Sequence, residues 1–386
     1  MFTLFYNCNI YTASGPVIEN GKLFVARGKI KAFGKDIIAP DGTELVDLKG
    51  CNILPGLIDA HSHLGLHEEC IGLVGDDTNE MTDPITPQLR AIDAINPMDE
   101  GFSDALSGGV TIVAAGPGSA NVLGGTFAVI KTYGKSVDEM VIKEPAAMKC
   151  ALGENPKRVY GKDKKLPSTR MGTAALLRQT LTEAADYAKK KSSARASSSL
   201  ETNLKSQALI PVLEKQIPLK VHAHRADDIL TAIRIAKEFN INITIDHCTE
   251  GDLIADILYR EDFPAIVGPS FTSRSKVELT HRTFKTAAIL NKKGIKTALT
   301  TDHPVTPIQH LIVCAALAIR EGMSEAEALK SITLYPAQIL GIDNRVGSID
   351  MDKDADFVVF EGDPFDVRSK VIATYIEGKK VYGKES

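Results

Sequence analysis

The sequence predicts an α/β protein: a (β/α)8 TIM barrel with a small β-sandwich domain built from both termini. Three observations carry that prediction. Eight strand-like segments alternate with helical ones through the middle of the chain. Both ends consist instead of short strands and turns. Histidine and aspartate recur where the middle strands stop being apolar, which is where barrel sites form.

A chain of 386 residues suits one large domain plus a lesser one. The opening segments LFYNCNIYTA, KLFVARGKIKAFG and ELVDLKGCNIL alternate or carry β-branched residues, with turns such as Glu19-Asn20-Gly21 between them. The closing segments ADFVVFEGDPF, SKVIATYIEG and KKVYG have the same character. Residues 1–53 and 347–386 are therefore expected to build the small domain, and 54–346 the barrel. Eight barrel strands are expected: GLIDAHSH, then 110–116, 126–134, 145–153, 219–224, 241–248, 264–270 and 295–303. ADDILTAIRIAKEFN places Ile229, Ile233 and Ala236 on one helical face. AEALKSITLYPAQILG reads as a late helix interrupted by Pro336. The Ser-rich KKKSSARASSSLE reads as a mobile surface connection between two helices. A doubly wound sheet is the competing fold, but no Gly-x-Gly-x-x-Gly opens the middle.

Composition narrows the function. Hydrophobic content of 44% and charged content of 24% fit a globular protein. A balance of 45 basic and 49 acidic residues, without a basic patch, speaks against nucleic acid as a partner. The start lacks the features of a secretory signal, and no apolar run is long enough to span a bilayer. Six scattered cysteines without a C-x-x-C pair suit a reduced, cytoplasmic chain, with Cys150 and Cys248 as small wall residues. The expected partner is a small-molecule substrate; a homo-oligomer stays open.

The first barrel strand ends in His61 and His63, two apart and so aimed at one side. Strand four carries Lys149 and is followed by Glu154. Strand five ends in His222 and His224, strand six in Asp246 and His247, and strand eight in Thr301, Asp302 and His303. Of nine histidines in the chain, these positions hold His61, His63, His222, His224, His247 and His303. Imidazole and carboxylate are ordinary ligands of Zn²⁺, and Mn²⁺, Fe²⁺ or Co²⁺ suit the same set. Such an ion lowers the pKa of its water to roughly 7. Asp302 is placed to accept the proton of that water and deliver it to a leaving group. His67, Glu68 and Glu69 fall on the loop after strand one, and the Gly-rich stretch 116–125 on a tight loop over the barrel mouth. Asn155, Lys157, Arg158 and Tyr160 follow strand four as further pocket candidates. Arg225, Asp227 and Asp228 are expected to cap the helix after strand five. Arg274 is a candidate for binding a substrate carboxylate, with a solvated basic loop as the plain alternative.

GLIDAHSH, VHAH, DHCTEG and TTDHP, in this order, resemble the amidohydrolase superfamily of metal-dependent hydrolases. GSIDMDKDADFVVFEGDP resembles the way these enzymes re-enter their β-sandwich domain. The resemblance spans nearly the whole chain and is nearest the branch with imidazolonepropionase-like and Xaa-Pro dipeptidase-like enzymes. It implies metal ligands at His61, His63, His222 and His247, with Asp302 as the strand-eight acid. It also makes His224 a candidate for substrate contact or carbonyl polarisation, with a supporting hydrogen bond as the alternative. On strand four it implies either Lys149, carboxylated by CO₂ and bridging two ions, or Glu154; with neither, the site holds one ion. The activity implied is hydrolysis of an amide or cyclic amide C–N bond, extending to N-acyl amino acids or dipeptides if Arg274 binds a carboxylate. The alternatives are a deaminase of a heterocyclic amine and a catalytically silent barrel serving binding or assembly.

Overall fold

The computed structural model describes residues 2–69, 72–193 and 201–383. Its first five strands are β1 (Phe2–Ile10), β2 (Ile18–Ala26), β3 (Lys29–Gly34), β4 (Glu44–Asp47) and β5 (Asn52–Pro55). After one residue, Gly56, the chain enters a second sheet. That sheet comprises β6 (Leu57–Ser62), β7 (Val110–Ala115), β8 (Leu123–Lys131), β9 (Val141–Ala151), β10 (Leu219–Ala223), β11 (Ile243–His247), β12 (Ala265–Val267) and β13 (Thr297–Leu299). It then returns to the first sheet through β14 (Phe357–Glu361), β15 (Lys370–Ile376) and β16 (Lys379–Tyr382). The terminal sheet is thus separate from the barrel and built from both ends of the chain, as the sequence suggests. Its joint is antiparallel pairing of β14 with β5, Phe357 opposite Pro55.

The eight strands run in sequence order from β6 to β13 as a nearly closed barrel. One departs from the expected all-parallel pattern: β8 is antiparallel to both β7 and β9. The reason lies in its connection. Only residues 116–122 join β7 to β8, far short of the crossover that a parallel return needs. The Gly-rich stretch after β7 is therefore a hairpin connection at the barrel mouth, and Gly118 and Ser119 line the pocket there.

Alternation sorts the side chains. Met148, Cys150, Val221, Ala223 and Ile245 join the cluster beneath the helices, where Ile229, Ile233 and Ala236 of helix Ala226–Phe239 pack. Ile58, Ala60, Ile112, Ala114, Phe127 and Val129 fill the interior, with Leu340 and Ile342 in the same cluster. Cys150 and Cys248 are buried walls, as expected, and none of the described cysteines is paired. The late helical segment forms two helices, Glu325–Ser331 and Leu334–Leu340. The break precedes Pro336, which sits in the first turn of the second helix, where its missing N–H costs nothing. Arg225 occupies the capping position of helix Ala226–Phe239 without a side-chain cap bond; it pairs with Asp227, and Glu250 Oε2 accepts from Ala226 N at 2.9 Å. Part of the Ser-rich connection, 194–200, lies outside the described residues. Among the described residues no helix is long and apolar enough to cross a membrane.

Gly56 is fixed by close approach. A Cβ there would fall 2.1 Å from Thr111 Oγ1, between the end of β5 and the start of β6. Gly56→Ala is expected to cost about 1–3 kcal/mol through overpacking, read as a lower urea midpoint with an unchanged slope. A midpoint equal to wild type would show that the joint has slack.

Candidate active site

The site forms at the C-terminal ends of the parallel strands. β6 is irregular there: its register against β7 shifts between Asp59 and Ser62. Ile58 and Ala60 pack in the interior cluster, and His61 follows them in, its ring 5.4 Å from Phe127. Irregular strand ends of this kind re-aim side chains. Two further site residues depend on backbone that side chains rarely adopt. His247 has φ 69° and Asp302 φ 52°, each turning the chain as its strand ends. Strain at such positions is held by surrounding structure. Asp59 supplies part of it, accepting from Thr300 Oγ1 at 2.6 Å, Thr301 Oγ1 at 2.6 Å and Thr301 N at 2.9 Å.

Hydrogen bonds set the tautomers of three imidazoles. His63 Nδ1 lies 2.7 Å from Gly116 O, and His247 Nδ1 lies 2.8 Å from Gly268 O. His61 Nδ1 lies 2.5 Å from Asp246 Oδ2. Carbonyl and carboxylate oxygens only accept, so each Nδ1 carries the proton and each Nε2 turns a lone pair to the site. Burial holds His61, His222 and His247 well below the ordinary imidazole range, which favours the neutral, ligating form. His224, tied through Nδ1 to Thr249 Oγ1 at 2.7 Å, is pushed down to about 4 by burial.

Asp302 sits among them. Its Oδ1 is 3.3 Å from His63 Nε2 and 3.5 Å from His61 Nε2. Burial raises its pKa, but His247, His63 and Lys149 outweigh burial and keep the carboxyl below its usual range. Lys149 Nζ is 3.2 Å from His61 Nε2, and burial brings the amine down to about 8. Two groupings have the spacing to hold a cation: His61, His247 and Asp302; and His222, His224 and His247. His247 Nε2 and Asp302 Oδ1 are buried without a hydrogen-bond partner. Orphaned acceptors at the focus of a neutral imidazole cluster fit a divalent ion.

The remaining candidates fall elsewhere. Glu154 opens helix Glu154–Gly161 and accepts from Glu278 N at 3.3 Å. Arg274 is spent on the backbone of its own loop, donating to Thr280 O at 3.0 Å and Arg282 O at 3.2 Å. The basic residue of that loop that lines the pocket is Lys276. His67 also lines it, whereas Glu68 accepts from Asn96. Asn155 is buried within 3.5 Å of His222, and Tyr160 bonds Asn121. His303 is buried beside the site, with neither ring nitrogen hydrogen-bonded. The cavity lined by His63, Lys149, His222, His224, His247 and Asp302, with His67 and Lys276, measures about 220 Å³. A larger hollow, about 1240 Å³, lies on the terminal sheet and shares none of them.

Two buried charges escaped the sequence analysis. Lys220, in register with Lys149, lies 2.7 Å from Asp246 Oδ2 and so anchors the carboxylate that holds His61. Its place two residues before His222 was the available signal, since alternate residues share a strand face. Glu278, 1% exposed, comes from a short 3₁₀ turn, and no periodicity marks it.

A barrel with buried imidazoles and an acid gathered at its C-terminal mouth is the layout of a hydrolase with a candidate metal centre. Residues 52–381 match the amidohydrolase family model. The chain is 30% identical over 387 residues to amidohydrolase TasK of Hapsidospora irregularis, covering 93% of this chain but 39% of that protein's length. It is 24% identical to imidazolonepropionase of Pseudomonas fluorescens over 94% of each. An amidohydrolase crystal structure from Thermotoga maritima MSB8 superposes with a TM-score of 0.96 at 47% identity, covering 99% of this chain and all of that one. The chain belongs to the amidohydrolase family, whose members cleave C–N bonds by hydrolysis and generally bind a divalent metal.

Proposed function

We propose that this protein hydrolyses an amide or cyclic amide C–N bond of a small substrate, with Asp302 carrying the proton. One observation supports the reading most. His61 and His63 are each tied at Nδ1 to an acceptor-only partner and place Nε2 3.5 and 3.3 Å from the orphaned Oδ1 of Asp302, with the orphaned Nε2 of His247 in the same buried cluster. In this reading His61, His63, His222, His247 and Asp302 hold the ion or ions, and Lys149 joins them once carboxylated. The burial that lowers the Lys149 amine favours the neutral form that reacts with CO₂. When bound, a divalent ion such as Zn²⁺ polarises the carbonyl and acidifies water. Asp302, ionised at neutral pH, takes a proton at its carboxylate and returns it to the departing nitrogen. His224, its ring oriented by Thr249, presents Nε2 toward the cavity as a contact for the carbonyl oxygen. A carboxylate on the substrate, as in an N-acyl amino acid or dipeptide, meets Lys276 at the pocket rather than Arg274. A cavity of about 220 Å³ suits a substrate of that size.

Purified protein is expected to carry one to two equivalents of zinc or a similar ion, and His61→Ala or His247→Ala to lose it. Full metal content in both variants, by elemental analysis, refutes the assignment. A screen of N-acyl amino acids, dipeptides, cyclic amides and heterocyclic amines separates the reactions. A new carboxylate marks amide hydrolysis; ammonia without one marks a deaminase.

A further inference from the structure

Glu278 places a buried carboxylate against the far pair of histidines. Its Oε1 has no hydrogen-bond partner and stands 3.7 Å from both His222 Nε2 and His224 Nε2. That separation is too long for a hydrogen bond. It is close to the spacing of two atoms bound to one tetrahedral ion, which at bond lengths of 2.0–2.2 Å lie about 3.3–3.6 Å apart. The other oxygen is fixed: Glu278 Oε2 accepts from Glu154 N at 3.1 Å, and Glu154 Oε2 accepts from Glu278 N at 3.3 Å. Gly153 makes room for this clamp, since a Cβ there would fall 2.9 Å from Glu278 Oε2, and its φ of +80° suits glycine. Lys276 Nζ, 3.7 Å from Oε1, is the nearby counter-charge, too distant to satisfy that oxygen by a hydrogen bond.

We propose that Glu278 is a carboxylate ligand of a divalent cation held with His222 and His224, on the side of the pocket away from His61 and Asp302. Glu154 is then a positioning residue, acting on the ion only through Glu278. The inference rests on reading the pocket as a metal centre; it takes His224 Nε2 as a ligand in place of a carbonyl contact and adds Glu278 from the loop after β12.

The test titrates metal-free protein with Co²⁺, following bound equivalents and visible absorption. Glu278→Gln keeps the shape and removes the charge. It should bind one equivalent fewer, or bind one at least about tenfold more weakly, with a changed spectrum. Glu154→Gln should weaken the same equivalent less, and Lys276→Met should leave the count unchanged. Equal stoichiometry, affinity and spectrum in Glu278→Gln overturn the proposal and leave Glu278 as the partner of Lys276 alone. If that variant does not fold, Glu278→Asp is read instead: a shifted Co²⁺ spectrum supports ligation and an unchanged one overturns it. Wild-type protein that takes up no Co²⁺ overturns this proposal together with the metal-centre reading; uptake that Glu278→Gln retains overturns this proposal alone.

Discussion

Asp302→Asn is expected to lower kcat/KM by about 10²- to 10⁴-fold, the usual worth of a positioned general acid–base. The substitution keeps shape and volume but removes the site's proton acceptor. The aspartate is well suited to that task. It is ionised at neutral pH, its carboxyl held below an already acidic ordinary value, and its Oδ1 has no hydrogen bond to give up. The variant should fold as well as wild type, because the carboxylate is placed for chemistry rather than for packing. Metal content measured beside activity separates a lost proton carrier from a lost ligand. Activity within threefold of wild type, on a substrate found by the screen, would remove Asp302 from the mechanism.

Lys131→Met is expected to destabilise the fold by about 3–5 kcal/mol, the cost of breaking a buried ion pair from one side. Lys131 ends β8, at the opposite end of the barrel from the site, and its side chain is 7% exposed. Its ammonium lies 2.9 Å from Asp354 Oδ2, 2.8 Å from Glu377 Oε1 and 3.3 Å from Asp356 Oδ2. Asp354 and Asp356 lead into β14, so this one cation ties the barrel to the terminal sheet. Without it the buried Asp356 loses the cation beside it, while Asp354 keeps Lys29 and Arg345. The pH dependence follows from the shifts. Burial raises the Asp354 carboxyl, but Lys29, Lys131 and Arg345 outweigh burial and depress it. Its stabilisation is therefore present above the unfolded value of about 4 and lost as pH falls through the lower folded value. Burial lowers the Lys131 amine, but Asp356, Glu377 and Asp354 outweigh burial and raise it. Its contribution holds below about 10.4 and is lost as pH rises through the folded value. Burial pushes Asp356 up, which works against stability at neutral pH and is relieved on acidification. The gap between wild type and Lys131→Met should be widest near pH 7 and narrow below pH ~4. Denaturant midpoints across that range check it; a gap independent of pH would mean that the lysine acts through packing alone.

Period-two alternation in GLIDAHSH, VHAH and INITIDHC, with helical spacing between, was sufficient to place barrel strands and the polar residues at their ends. These are short-range properties of a pleated or coiled backbone, legible in one chain. His61, His63, Lys149, His222, His247 and Asp302 could be named because each stands at a strand end, and a barrel brings strand ends together whatever the loops do. The reversal of β8 was not legible, since a strand pattern carries no direction; the short connection at 116–122 decided it. Loop chemistry was legible only in part. Arg274 and Glu278 are four residues apart, yet one is exposed and bonded to its own loop while the other is buried against two histidines. Nothing local distinguishes them, because the outcome depends on Gly153 and Glu154, more than a hundred residues earlier. The sequence by itself determined the family, the barrel and most of the polar cluster. Tertiary structure alone decided which charges are desolvated, because burial is a property of what packs around a residue and not of the residue itself.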